Sequence, residues 1–151
     1  MIASTVWNQL KVTLENNPAL SDYIKIVFSG QRFDIEPDSL PCIMIEPVSD
    51  GEIQNEMSDV KNVYLNVDIY AFSSNNIQDF EKTIVGGKDY KGILDINNDI
   101  RACLSASYDL GGNVIDTKLE TTLFDKLEFN KYPVRGLLLP VRILYRQIQD
   151  V

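Results

Sequence analysis

The sequence predicts an α+β domain in which a mainly antiparallel β-sheet is covered on one side by two α-helices. Three observations lead there. Apolar residues recur at three- and four-residue steps in two well-separated segments. In several others they alternate with a period of two. The last two strand-like segments are joined by a short turn, which favours a hairpin over a parallel crossover. A chain of 151 residues fits one domain spanning 1–151, and a globule of that size buries roughly 70% of the surface its unfolded chain exposes.

Each element has its own justification. Ala3, Val6, Trp7, Leu10 and Leu14 fall on one helical face with Asn8, Lys11 and Glu15 outside, and Pro18 closes that helix. Leu20, Tyr23 and Ile24 suit a further turn, which a proline can open. "IKIVFSG" reads as a short strand ending at Gly30. "LPCIMIEP" reads as a strand bracketed by Pro41 and Pro47, short or at a sheet edge, because neither proline can donate to a ladder. "DGEIQNEMSD" begins with the turn signal Asp50-Gly51 and is expected to be a hairpin tip or long loop.

"NVYLNVDIYAF" has the clearest alternation: Val63, Leu65, Val67, Ile69 and Ala71 face one way, Tyr64, Asn66, Asp68, Tyr70 and Phe72 the other. The second set suits cover by a helix or a neighbouring subunit. Ser73 to Lys88 is expected to be irregular, with one helical turn around Phe80 and a flexible Gly86-Gly87 joint. Asp89 is placed to cap a helix from Tyr90 to about Tyr108, with the stripe Ile93, Ile96, Ile100, Cys103 and Leu104. Gly111-Gly112 ends it. From Val114 to Phe129 one long strand or two are expected, with Ile115, Leu119, Leu123, Leu127 and Phe129 sharing a face with Thr117 and Thr121. After a turn at Asn130 to Pro133 comes "YPVRGLLLPVRILYR", whose core face is Leu137, Leu139, Val141, Ile143 and Tyr145, and in which Pro140 predicts an edge.

Composition narrows the chemistry. An apolar fraction of 44% and no run approaching the ~18 residues of a spanning helix predict neither disorder nor a membrane protein. The N-terminus lacks the pattern of an export signal, and Cys42 and Cys103, far apart, suit buried thiols in a reducing cytoplasm better than a bridge. Histidine is absent, which removes His-based nucleophile activation and the commonest metal ligand. Two separated cysteines do not make a zinc site. Asp95 and Asp99 lie one turn apart, as a solvated helix face commonly does. "VGGKDYKG" fails as a phosphate loop because Asp89 follows Lys88 where a hydroxyl residue is required. No cofactor, metal or catalytic residue is expected.

Charge gives the one sharp pattern. The net charge of −8 argues against binding nucleic acid. Between Phe33 and Val60 stand eight acids and no Lys or Arg, among them Asp50, Glu52, Glu56 and Asp59, whereas the last strand holds three of the five arginines, Arg135, Arg142 and Arg146. Arg142 and Arg146 share parity opposite the core face; Arg135 joins them only if Gly136 is a bulge. Guanidinium groups on a strand can dock carboxylates of a partner, or cap acids such as Glu120 and Glu128 in the same sheet. If the partner is another copy, an acidic arm and an arginine strand make a heterologous contact, which closes into a ring when the rotation allows.

The strand-loop-strand "LPCIMIEPVSDGEIQNE" and "NVYLNVDIYAF", the helix "YKGILDINNDIRACL" and the closing "YPVRGLLLPVRILYR" together resemble the tail terminator family of long-tailed bacteriophages and phage-tail-like particles. The resemblance implies a non-enzymatic α+β subunit of the virion tail, assembled in the bacterial host cytoplasm. Six copies would form a ring that caps the head-proximal end of the tail tube, ends its growth, and offers a surface to neck proteins and, in contractile tails, to sheath. It also implies that the Asp50 to Asp59 arm reaches a neighbour or the tube protein, and that the last strand lines a seam between subunits. The alternatives are another neck or baseplate subunit, or a small carboxylate-dependent enzyme with a deep pocket.

Overall fold

A computed structural model of the chain describes residues 2–32, 34–53, 60–74, 80–87, 90–112, 114–129 and 132–148. Among them the elements run α1 (Ala3–Asn16), α2 (Pro18–Ser21), β1 (Ile26–Ser29), β2 (Cys42–Ile53), β3 (Val60–Phe72), α3 (Phe80–Val85), α4 (Ile93–Ala106), β4 (Asp116–Leu119), β5 (Leu123–Phe129) and β6 (Tyr132–Ile148). The six strands form one sheet in the order β1-β2-β3-β6-β4, with β5 also paired to β6. Only the β1–β2 pair is parallel. The fold is therefore α+β with a mixed, mostly antiparallel sheet.

The main core lies on one face of this sheet. Val63 to Ala71 of β3 and Leu137 to Tyr145 of β6 contribute their odd-numbered residues, and Val6, Leu10 and Leu14 of α1 and Ile96, Ile100 and Leu104 of α4 pack onto them. These are the stripes that the helical and strand periodicities predict. Complete burial of each such side chain stabilises the fold by roughly 1.5–3 kcal/mol. The short α2 starts at Pro18 and is capped by Asn17, whose Oδ1 accepts from Leu20 N at 3.1 Å. Its Tyr23 neighbour donates its hydroxyl to Asp99 Oδ2 at 2.7 Å. Asp99 thus ties α4 to the α2 end rather than standing free on a solvated face.

The opposite face is not bare. At one end Cys42, Met44, Phe72 and Val134 make a second, smaller core with Ile35 and Leu40, roofed by the irregular segment around the 3-10 turn Pro37–Ser39. Both cysteines are buried free thiols, and burial pushes Cys42 up to about 12 and Cys103 to about 11.

Several boundaries differ from expectation. β2 does not stop at Pro47 but runs through Asp50-Gly51 to Ile53, and β1 covers only its first four residues. Beyond Ile45 β2 is itself the sheet margin, so Pro47 leaves no ladder bond unmade on the outer side. The connection between β2 and β3 falls within 54–59, outside the described residues. α4 starts at Ile93 after Gly92; Lys88 and Asp89, the expected cap, lie outside the described residues, as do 75–79. α3 is the turn expected around Phe80. Gly111 and Gly112 have φ of +78° and +89°, a conformation cheap only for glycine, which turns the chain from α4 into β4.

β6 is the largest correction. Far from being an edge, it is flanked by β3 along one side and by β4 and β5 along the other. Pro140 is tolerated because it falls between β4 and β5: its carbonyl accepts from Glu120 N at 2.9 Å, so the missing N–H faces the gap between those strands. The break at 120–122 is held by Arg101, whose Nη1 donates to Glu120 O at 2.9 Å and Thr122 Oγ1 at 3.1 Å. It also shifts the alternation. Leu119 and Phe124 face the helices, whereas Leu123, expected on the same face as Leu119, is 58% exposed on the other side. Ile115 is exposed as well.

Candidate assembly interface

Of the charged residues singled out in the sequence, Asp50, Glu52, Arg142 and Arg146 lie at the end of the sheet where β2, β3 and β6 run on together. At 17 residues, β6 is about 56 Å long. On its open face, Arg142 and Arg146 are exposed, opposite Asn66 and Asn62 of β3. Arg135 is not with them. The register passes through Gly136 without a shift, so no bulge rotates it. Arg135 stays on the helix face beside a cleft with Ile84, Leu94 and Phe124, its backbone bonded to Ser73.

The acids sit on the other side, and one residue decides this. The β2–β3 register shifts between Pro47 and Ser49, where Val48 is the extra residue of a bulge. Before it, Glu46 faces the open side with Asp68; after it, Asp50 and Glu52 face the helix side with Leu65 and Val63. Asp50 lies near the buried Tyr145, whose pKa is raised by burial and then by the Asp50 charge. Glu52 is already paired, accepting from Lys61 Nζ at 3.1 Å. Glu56 and Asp59 fall outside the described residues.

Arg142 is held in place. Its Nε donates to Asn66 Oδ1 at 3.1 Å, and Asn66 in turn donates to Ser49 Oγ at 2.9 Å. The guanidinium carbon stands 4.4 Å from the centroid of the Tyr64 ring. That ring lies over Gly51, its cross-strand partner. Among the described residues Arg142 has no ion pair: Glu120, the acid considered for it, pairs instead with Lys118 at 3.9 Å. Lys118 is the direct cross-strand neighbour of Arg142, so two cations stand side by side, and Glu120 meets the charge of Lys118 alone. The sequence alone did not single out Lys118, Tyr64 or Gly51 for this site, because the β4–β6 and β2–β3 registers create it.

Between the arginine end and the second core the open face carries Glu46 directly opposite Asp68. The pKa of Asp68 is raised, by burial and then by Glu46. Further along, Tyr70, Phe72, Leu123 and Leu138 floor an apolar groove of about 530 Å³ with Arg32 at its rim. Tyr70 and Phe72, on the face expected to be covered by a helix or a neighbouring subunit, pack into the second core. Among the described residues no helix is long and apolar enough to cross a membrane, and no cluster of three or more Asp, Glu or Cys is placed to hold a metal ion.

Comparison with protein-family models found no match, and comparison with curated proteins found no similar sequence.

Proposed function

We propose that the chain is a structural subunit that associates head to tail with identical copies into a closed ring, in the manner of a tail terminator. Such a ring, of six copies on the resemblance, would cap the head-proximal end of a phage or phage-like tail tube, end its polymerisation and present a surface to neck or sheath proteins. The observation that supports this reading is the placement of opposite charges on opposite faces of one sheet end. Had Asp50 and Glu52 shared the face of Arg142, they would neutralise it within the chain. The Val48 bulge separates them, so Asp50 cannot meet the Arg142 of its own chain and is left to meet that of another copy. A surface that meets a different surface of its neighbour propagates head to tail, which gives a ring or a filament.

The test is assembly, alone and with tube protein. Light scattering on a size-exclusion column and electron microscopy should reveal closed rings at the end of tubes, and Arg142→Glu should leave a folded monomer. A protein that stays monomeric in the presence of tubes and leaves their length unchanged would count against this function.

A further inference from the structure

We infer that Asp50 of one copy is the carboxylate that occupies the Arg142 anchor of the next, a pairing that rests on the head-to-tail reading above and gives it its contact residues. The anchor is built before any partner arrives. Tyr64 supplies a flat platform at 4.4 Å, the Asn66–Ser49 tether fixes Nε, and Gly51 leaves room for the Tyr64 ring to lie down: a Cβ there would come within 3.0 Å of Tyr64 Cε2 and closer still to Cζ. With Nε tethered, the two terminal nitrogens remain to form the fork that carboxylates match. Lys118 stands beside it across the ladder but is paired with Glu120 at 3.9 Å, so it is Arg142 that is left without an ion pair among the described residues.

The occupant follows from charge and accessibility. Asp50 is exposed and makes no ion pair among the described residues, whereas the neighbouring Glu52 is engaged by Lys61. Asp50 also points away from the anchor of its own chain, on the opposite face of the same strands. A carboxylate is favoured over a nucleic-acid phosphate because the chain carries a net charge of −8 and Glu46 and Asp68 stand on the same open face, where they would repel a polyanion.

A mixing experiment tests the pairing. Arg142→Glu alone and Asp50→Arg alone each place like charges at every contact, and neither should assemble at concentrations where the wild type does. An equimolar mixture should recover assembly to near the wild-type level, because the subunits can alternate so that every contact joins opposite charges. If Asp50→Arg does not fold, judged by circular dichroism, Asp50→Lys takes its place. Wild-type rings with no recovery in the mixture would overturn the Asp50–Arg142 pairing while leaving the ring intact, and assembly by either variant alone would do the same. A wild type that never self-associates overturns both. Binding of a labelled oligonucleotide that Arg142→Glu abolishes, without recovery of assembly in the mixture, would assign the anchor to phosphate instead.

Discussion

Replacing Gly51 with alanine separates the anchor from the fold that carries it. In an ordinary strand the change would stabilise the protein by about 0.4–1 kcal/mol, because alanine loses less chain entropy on folding. Here the new Cβ collides with the Tyr64 ring, and the ring must swing off Gly51. Arg142 then loses the platform 4.4 Å away, a contact worth about 0.5–1 kcal/mol at an exposed site, while keeping its bond to Asn66. The two effects nearly cancel, so the unfolding free energy should stay within about 1 kcal/mol of wild type. Assembly should not escape so lightly. A guanidinium no longer fixed costs about 1 kcal/mol at each contact, about a fivefold weakening, and a dilution series followed by light scattering should show half-assembly moved up at least about fivefold. Near-ultraviolet circular dichroism reports whether the tyrosine has moved, and Tyr64→Phe, which keeps the ring, should assemble normally. If Gly51→Ala displaces the tyrosine yet assembles at the wild-type concentration, the platform has no part in association.

Three further outcomes check the energetics of the fold. Asp68→Asn should stabilise the protein at pH 7, by no more than about 1 kcal/mol because the site is partly solvated. The native pKa of Asp68 is raised, so the native state holds the proton more tightly than the unfolded chain. The penalty is therefore present at neutral pH and fades as the pH falls through the native pKa, and the gap between variant and wild type in thermal melts should close on acidification; a constant gap would contradict the assignment. Leu10→Ala, at a position with no exposed surface beneath α1, should cost about 2–5 kcal/mol in urea unfolding, and a loss under 1 kcal/mol would mean that α1 does not close the core. Arg101→Ala should cost about 1 kcal/mol by releasing the 120–122 connection, with no effect on association; loss of rings would show that arginines outside β6 also form the contact.

What the sequence makes legible is whatever repeats. The stripes of α1 and α4 and the alternation of β3 and β6 name almost the whole main core, since burying one side of a helix or sheet imposes those periods. Single-residue irregularities carry no such signal. The Val48 bulge reverses the facing of Asp50 and Glu52, and the 120–122 break reverses that of Leu123; both look in sequence like uninterrupted polar or apolar stretches. Pro140 misleads for a related reason. A proline marks a missing donor, which an edge provides, but so does the junction between two strands lying end to end on one neighbour. The second core escapes prediction because its roof, around Pro37–Ser39, is irregular and has no period to read. Of the interface, Arg142 and Arg146 are legible by parity, whereas Arg135 depends on a bulge that is not there, and Lys118 and Tyr64 join the anchor only through registers that sequence spacing does not fix.

The most direct measurement is covalent trapping of the contact. A Glu52→Cys/Asp116→Cys double variant keeps Asp50 and Arg142 and places one thiol on the helix face of β2 and one on the open face of β4, while the native cysteines are buried. Treated with a short bismaleimide under assembly conditions, it should give a ladder that ends at the ring number, six copies or about 103 kDa for a 17.1 kDa subunit. A ladder that stops at two would mean a two-fold contact between like surfaces, and an uncrosslinked monomer would mean no such contact at all; either result contradicts head-to-tail association.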